Sequence, residues 1–271
     1  MSLDPDRLAR ELLHASDTAT LLPLPSDADP GFDLARAFDV AGRLRALRLA
    51  RGEEPAGYKI GFTNRRLWPV YGVSAPIWAP VWRHTLTLLD AASTRLSLAG
   101  LSQPRIEPEI VFGLKAAPAV GMDDAALLAC IEWVAHGFEI VQTHFANWKF
   151  KLADCFVDGG LHGRLLVGPR VPATVFDDAP AQWRDLRVDL LRDGERVEQG
   201  EGRNVLGGPL EALRAWVDAM HAQPQHWPIR AGDVVTTGTL TDAWPMAPAQ
   251  QWSTRLSDGR LSGLKLECAP S

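Results

Sequence analysis

The sequence predicts a mixed α+β fold, with a helical subdomain over residues 1–55 and a larger strand-rich domain over residues 56–271. Three observations carry this. Before residue 55, apolar residues recur with helical spacing. Beyond it, short runs of β-formers are punctuated by Gly-, Pro- and Asp-containing turns. The later helical stretches do not alternate regularly with those strands, which argues against a doubly wound parallel sheet.

The elements follow in order. Leu8, Leu12 and Leu13 place a helix over 6–15 with an Asp-rich start. Residues 21–30 read as a Pro- and Asp-rich loop. Ala37, Val40, Leu44 and Leu47 mark an amphipathic helix over 32–51, ended by Gly52. Residues 57–63 form a short strand between glycines, and 71–80 a Pro-rich loop. Strands follow at 84–89 and 94–98, joined by a turn near Asp90. The run from Arg105 to Phe112, bounded by Pro104 and Gly113, is a strand. A helix capped near Asp123 is expected over 125–136, on the face of Leu127, Leu128, Ile131 and Val134, closing at Gly137. Phe138-Glu139-Ile140-Val141 is the next strand. A helical turn at 148–154 leads into a glycine-rich loop at 157–163. Strands at 186–191 and 195–199 make a hairpin about Asp193-Gly194, a type I′ signal. A helix starts near Pro209 and runs to about residue 222. A strand over 231–241 ends in a polar turn, and strands at 251–256 and 261–268 pair about Asp258-Gly259.

Composition excludes several classes. The 271 residues include 46% hydrophobic and 23% charged side chains, enough for a large core. A net charge of -5, with no basic stripe, argues against nucleic acid as a partner. No apolar stretch approaches the ~20 residues of a bilayer span. Met1 to Asp6 lacks the basic and apolar regions of a signal peptide. Cys130, Cys155 and Cys268 are far apart, with no CxxC pair, so buried unreactive thiols in a reducing cytoplasm are expected. Most of the ten Trp are expected in the core or at subunit interfaces. No GxGxxG or GxxxxGK[ST] pattern is present, and the seven His show no zinc-ligand spacing.

The chemistry centres on Glu107 and Glu109. Side chains alternate along a strand, so the two carboxylates share one face about 7 Å apart. Burying them together costs several kcal/mol unless a cation compensates. Two oxygen ligands at i and i+2 make half of a site for Mg²⁺ or Mn²⁺; a solvated strand face is the plainer reading. Pro108 between them has no N–H for a ladder and points to an edge or a bulge. Glu139 sits among Phe138, Ile140 and Val141 and needs a cation, either an Arg or the same metal. Lys59, in apolar company, reads as a proton-transfer group with lowered pKa, as a cation beside the carboxylates, or as a strand lysine snorkelling to water. Gly159 and its neighbours allow close approach of backbone to a ligand. His162 in that loop is in reach of substrate, though a surface histidine is the simpler expectation. The hydroxyls and N–H groups around Thr237 and Thr239 can hold a carboxylate.

Five motifs in order, Gly57-Tyr58-Lys59-Ile60-Gly61, Ile106-Glu107-Pro108-Glu109-Ile110, Phe138-Glu139-Ile140-Val141, residues 204–213 and residues 232–241, resemble the 2-keto-4-pentenoate hydratases and 4-oxalocrotonate decarboxylases of the fumarylacetoacetate hydrolase superfamily. The resemblance covers most of the chain from about residue 30. It implies a mixed β-roll with an N-terminal helical part and a homo-oligomer. It implies Mg²⁺ or Mn²⁺ on Glu107, Glu109 and Glu139, with Lys59 as the active-site lysine and a 2-keto acid from aromatic degradation as substrate. In the implied reaction the cation stabilises an enolate, Lys59 moves the proton of tautomerisation, and the loop with Asp158, Gly159 and His162, together with Thr237 and Thr239, positions the acid. Two departures stand out. The family's P-D-F-G loop is here Pro76-Ile77-Trp78-Ala79, and its D-N-A-S loop is Asp158-Gly159-Gly160-Leu161. The leading expectation is a hydratase of 2-hydroxy-2,4-dienoates. The alternatives are a 2-keto acid decarboxylase using Arg65 or Arg66 on the far carboxylate, an acylpyruvate C–C hydrolase with His162 as base, and a non-catalytic member.

Overall fold

A computed structural model of the chain describes residues 3–71, 75–176, 178–223 and 227–270. The N-terminal part holds α1 (Pro5–Thr18), α2 (Pro25–Ala28) and α3 (Leu34–Ala50). The Asp4 carboxylate caps α1 by accepting from the N–H groups of Asp6 and Arg7, and Asp33 caps α3 by accepting from Arg36 N–H, which satisfies amides that no helical carbonyl reaches. Leu8, Leu12, Ala37, Val40 and Leu44 are buried between the two helices, as their spacing requires. The loop expected over 21–30 contains α2.

The rest of the chain alternates short strands with few helices: β1 (Pro55–Gly61), α4 (Trp68–Tyr71), β2 (Ile77–Trp82), β3 (Leu86–Leu88), β4 (Ser93–Leu96), β5 (Arg105–Leu114), α5 (Asp124–Ala129), β6 (Ile131–Val141), α6 (Leu152–Val157), β7 (His162–Val167), β8 (Val171–Pro172), α7 (Ala179–Asp185), β9 (Arg187–Arg192), β10 (Glu195–Glu201), α8 (Pro209–His221), β11 (Val234–Thr239), β12 (Trp244–Pro245), β13 (Gln251–Leu256) and β14 (Lys265–Cys268). One mixed sheet runs β2-β1-β11-β5-β6-β7-β3, with β12 on β5 and β8 on β6; a second runs β10-β9-β13-β14-β4.

Ile106, Phe138 and Ile140 of the first sheet pack against Leu190, Trp252 and Leu266 of the second. Leu210, Leu213, Trp216 and Met220 of α8 bury themselves against Tyr58, Ile60 and Val235. Val81, Val111, Ala135, Leu165, Val167 and Val234 form a small apolar layer on the other face of the first sheet. Glu107 and Glu109 share that face with Val111, and Glu139 shares it with Ala135, because strand side chains repeat every second residue. The β9–β10 hairpin turns on Asp193 (φ 53°) and Gly194 (φ 86°) as expected, α8 and β13 also fall where the sequence placed them, and β14 occupies only the second half of the strand expected over 261–268.

Two expectations fail. The helix foreseen over 125–136 ends at Ala129, and Ile131–Val141 is one continuous strand between β5 and β7. Its apolar residues, with β-branched Ile131 and Val134, satisfy a helical repeat and a doubly buried strand equally well, and pairing on both sides decides between them. Gly137 is therefore a mid-strand residue rather than a helix cap; a Cβ there would lie 2.8 Å from Val111 Cγ2. Within the stretch read as a loop over 71–80, residues 77–80 belong to β2, paired antiparallel with β1; residues 72–74 lie outside the described residues. The two strands expected on either side of Asp90 are present, with bends at 90–92 between them, and they enter different sheets, β3 beside β7 and β4 beside β14.

Candidate metal centre and active site

Glu107 and Glu139 stand directly opposite each other in the antiparallel β5–β6 pair, and Glu109 lies opposite Gly137. Paired residues project to the same face, so three carboxylates converge with oxygens within 4.8 Å of one another. Glu109 and Glu139 are fully buried. β5 is an interior strand rather than an edge, and the irregularity that Pro108 foretold sits in its neighbour. The register of β11 shifts between Thr236 and Thr239. Leu240 N–H donates to Pro108 O, so the N–H that Pro108 lacks would also face β11, whose bulge leaves no acceptor unfilled there. The bulge frees Gly238 N–H to donate to Glu109 Oε2 at 2.8 Å. Gly238 has φ +99°, and a Cβ on it would lie 1.9 Å from Thr63 Oγ1, so glycine is needed on both counts.

The remaining oxygens of Glu109 and Glu139 each have a defined partner or a defined lack of a hydrogen bond. Glu139 Oε1 accepts from His162 Nδ1 at 2.8 Å, and His162 Nε2 lies 2.8 Å from Thr85 Oγ1. Lys59 Nζ donates to Gly160 O at 2.9 Å and lies 3.3 Å from Glu139 Oε2, off the line of a hydrogen bond. Glu109 Oε1 and Glu139 Oε2 are buried with no hydrogen-bond donor among the described residues. A buried carboxylate oxygen without a hydrogen bond is costly in a protein interior, and two of them in one triad, only one of which has the Lys59 charge nearby, fit a divalent cation, for which anionic oxygens are the preferred ligands.

The electrostatics agree. Burial and the neighbouring carboxylates push Glu109 well above the usual range. Burial raises Glu107 to about 7, against the pull of Lys59. Glu139 is lowered, since Lys59 and His162 together outweigh its burial. For Lys59 burial acts downward, but Glu139, Glu107 and Glu109 reverse it and the net shift is upward. Of the readings open for Lys59, the structure shows a buried ammonium among carboxylates, neither snorkelling nor with a lowered pKa.

A cavity of about 460 Å³ opens beside this cluster. Its wall includes Lys59, Glu107, Arg105 and Thr239, with Ile77, Val141, Phe150 and Leu161 as apolar surface. The other expected substrate contacts lie elsewhere. The Thr237 hydroxyl donates to Ile110 O. Asp158 accepts from Thr143 Oγ1, His144 N–H and His144 Nδ1. Asp158, Gly159 and His162 line a different cavity. His162 is no surface residue: its side chain is 4% exposed, because it bridges Thr85 and Glu139. Arg65 stacks on Trp68, and neither it nor Arg66 is among the described residues of the cavity wall; Arg105, stacked 4.1 Å over the Trp148 ring, is the arginine that is. Arg105 opens the central strand motif and was legible in it. Nothing in the sequence marked the Gly160 carbonyl, since backbone acceptors carry no side-chain signature.

A curled mixed sheet with three converging glutamates and a buried lysine defines an acid-lined centre suited to a divalent metal. The model of the fumarylacetoacetate (FAA) hydrolase C-terminal family matches residues 78–262, and the chain belongs to that family. A 2-hydroxyhexa-2,4-dienoate hydratase of Comamonas testosteroni is 33% identical over 85% of this chain and 83% of its own length. A 4-oxalocrotonate decarboxylase of Pseudomonas sp. (strain CF600) is 29% identical over 92% of this chain and 91% of its own. The structure of 4-oxalocrotonate decarboxylase from Pseudomonas putida G7, complexed with magnesium and adipate, superposes with a TM-score of 0.88 at 25% identity, covering 97% of both chains.

Proposed function

We propose that the chain is a divalent-metal-dependent hydro-lyase that hydrates 2-hydroxy-2,4-dienoates of the 2-keto-4-pentenoate type, small acids formed when aromatic compounds are degraded. The observation that carries this reading is the convergence of Glu107, Glu109 and Glu139, with two buried oxygens that accept no hydrogen bond among the described residues and the Lys59 ammonium 3.3 Å from one of them. These three residues would hold Mg²⁺ or Mn²⁺. When bound, the cation supplies Lewis-acid stabilisation for negative charge developing on a 2-oxo acid.

The chain's own groups do the rest. The Lys59 ammonium attracts an anionic acid and is placed to carry the proton that ketonisation of the dienol delivers to carbon. Its anchor on Gly160 O fixes Nζ next to Glu139. Ile77, Val141, Phe150 and Leu161 shield the hydrocarbon end of the acid from bulk water, while Asn64, Thr239 and Asp242 give the same cavity a polar side for the water that adds. With isoleucine at 77, Asp242 is the cavity's carboxylate other than Glu107 among the described residues.

A second reading, decarboxylation of a 2-oxo-dioic acid, is favoured by Arg105, which lines the cavity where a far carboxylate would need a cation. Acylpyruvate hydrolysis loses the base that the sequence offered it, because His162 faces Glu139 from outside this cavity. The test is to supply Mg²⁺ and follow dienol loss, hydrated product and CO₂ with 2-hydroxypenta-2,4-dienoate and with 2-oxohex-3-enedioate. Hydrated product without CO₂ supports the hydratase; CO₂ from the second acid establishes the decarboxylase; inactivity on both contradicts each. The reading also takes residues 1–55 as a helical subdomain and the chain as a cytoplasmic homo-oligomer, of which light scattering checks the oligomeric state.

A further inference from the structure

A second cavity, of about 280 Å³, lies between α1, α3, β2 and the start of β7. Among the described residues it shares no lining residue with the Lys59 cavity, yet the two are separated by a single thickness of chain. Ile77, Val141, Cys155, Gly160 and Leu161 face the first, and their neighbours Trp78, Gln142, Phe156, Gly159 and His162 face the second.

The charged groups of this second wall are unevenly matched. Its two acids are already engaged: Asp17 by Arg51, and Asp158 by His144 and Thr143. Arg48 is neutralised by Glu53. Arg164 and Arg45 remain. Arg164 is half-buried, its guanidinium donates to Gly163 O, and burial lowers its pKa. Arg45 lies 5.3 Å over the Trp227 ring. Neither has a carboxylate within 4.0 Å among the described residues. His144, 2% exposed, also lines the cavity, and its Nε2 has no hydrogen-bond partner among the described residues while Asp158 holds its Nδ1. The surfaces between these groups are apolar and largely aromatic: Trp78, Trp82, Trp227, Phe156, Leu12 and Leu44.

We infer that this cavity binds a small aromatic monocarboxylate, with its anion between Arg164 and Arg45, His144 Nε2 completing the polar set, and its ring against the tryptophans. Guanidinium groups without a carboxylate partner, one of them desolvated, favour an anion, and the tryptophan faces favour a planar body. An occupant would press on Gly159 and on His162, and so on Glu139 across the dividing wall. Binding itself is independent of the reaction proposed above.

The test is calorimetric titration of benzoate into the chain with the glutamate centre filled by Mg²⁺ and oxalate. Saturable one-to-one binding is expected to persist under that block, and to weaken at least about tenfold in Arg164→Gln and with uncharged benzamide. Should Arg164→Gln misfold, Arg45→Gln on α3 carries the same comparison. No saturable binding up to about 10 mM benzoate, well beyond the weak end of specific affinities, overturns the proposal. So does binding that Mg²⁺ and oxalate abolish, or that both arginine variants leave unchanged.

Discussion

Replacing His162 by alanine should loosen the metal centre without touching a proposed ligand. In the wild-type chain, Thr85 Oγ1, His162 and Glu139 Oε1 are joined by two contacts of 2.8 Å each. The second fixes which Glu139 oxygen is turned to the cluster, because with Oε1 held by His162 it is Oε2, 3.3 Å from Lys59 Nζ and accepting no hydrogen bond, that remains for a cation. Without the imidazole, Oε1 becomes a buried anionic oxygen with no donor. A hydrogen bond to a charged group contributes about 1.5–3 kcal/mol, and loss of a group supporting a ligand weakens metal binding by about 10–100-fold. Calorimetric titration of Mg²⁺ or Mn²⁺ into the metal-free protein should show a loss in that range. His162→Asn, whose amide nitrogen can stand near Nδ1, should recover part of it. An affinity within about twofold of wild type in a folded His162→Ala, far short of that range, would refute the reasoning and leave His162 as packing.

Other outcomes follow from the same geometry. Lys59→Met should retain metal binding yet lose about 10²–10⁴-fold in kcat, measured at saturating Mg²⁺. Because burial raises Glu107 to about 7, and burial with the neighbouring carboxylates pushes Glu109 well above the usual range, a metal must displace protons from the apo centre; Mg²⁺ affinity should therefore fall as pH drops below 7, with proton release visible as buffer-dependent titration heats. Gly238→Ala should destabilise the fold by more than about 1 kcal/mol in urea titrations and weaken metal binding too, since its Cβ would displace the segment whose N–H holds Glu109. Buried His136 is held neutral, its pKa lowered to about 4 by burial. A base depressed on folding contributes stability that is full above its unfolded pKa near 6.5 and is lost as pH falls from there toward 4. The stability advantage of wild type over His136→Gln should shrink in that window by up to about 1.4 kcal/mol per pH unit.

The centre was more legible than the fold around it. Two glutamates at i and i+2 on a strand can hardly avoid sharing a face, and Glu139 among β-formers had to find a cation, an arginine or a metal; the family resemblance chose the metal, and the structure brings Glu107, Glu109 and Glu139 together. The strand at 131–136 was hidden because a doubly buried strand and an amphipathic helix present the same apolar residues, and only β5 and β7 on either side settle the choice. His162 was misjudged for a related reason. Its burial depends on Thr85, which is 77 residues away in sequence, and glycine-rich surroundings read as an exposed loop. Thr237 and Thr239 would share a face on a regular strand, but the bulge at Gly238 between them breaks the alternation, so the Thr237 hydroxyl donates to Ile110 O while Thr239 lines the cavity.

The most direct test of the metal centre is Mn²⁺ binding, followed by electron paramagnetic resonance and calorimetry, to the metal-free wild-type chain and to Glu109→Gln. The account predicts one tight Mn²⁺ per chain in wild type, and in Glu109→Gln a folded protein with that site lost together with the metal-dependent activity. Equal Mn²⁺ binding by the two proteins, or full wild-type activity in chelator, would contradict it.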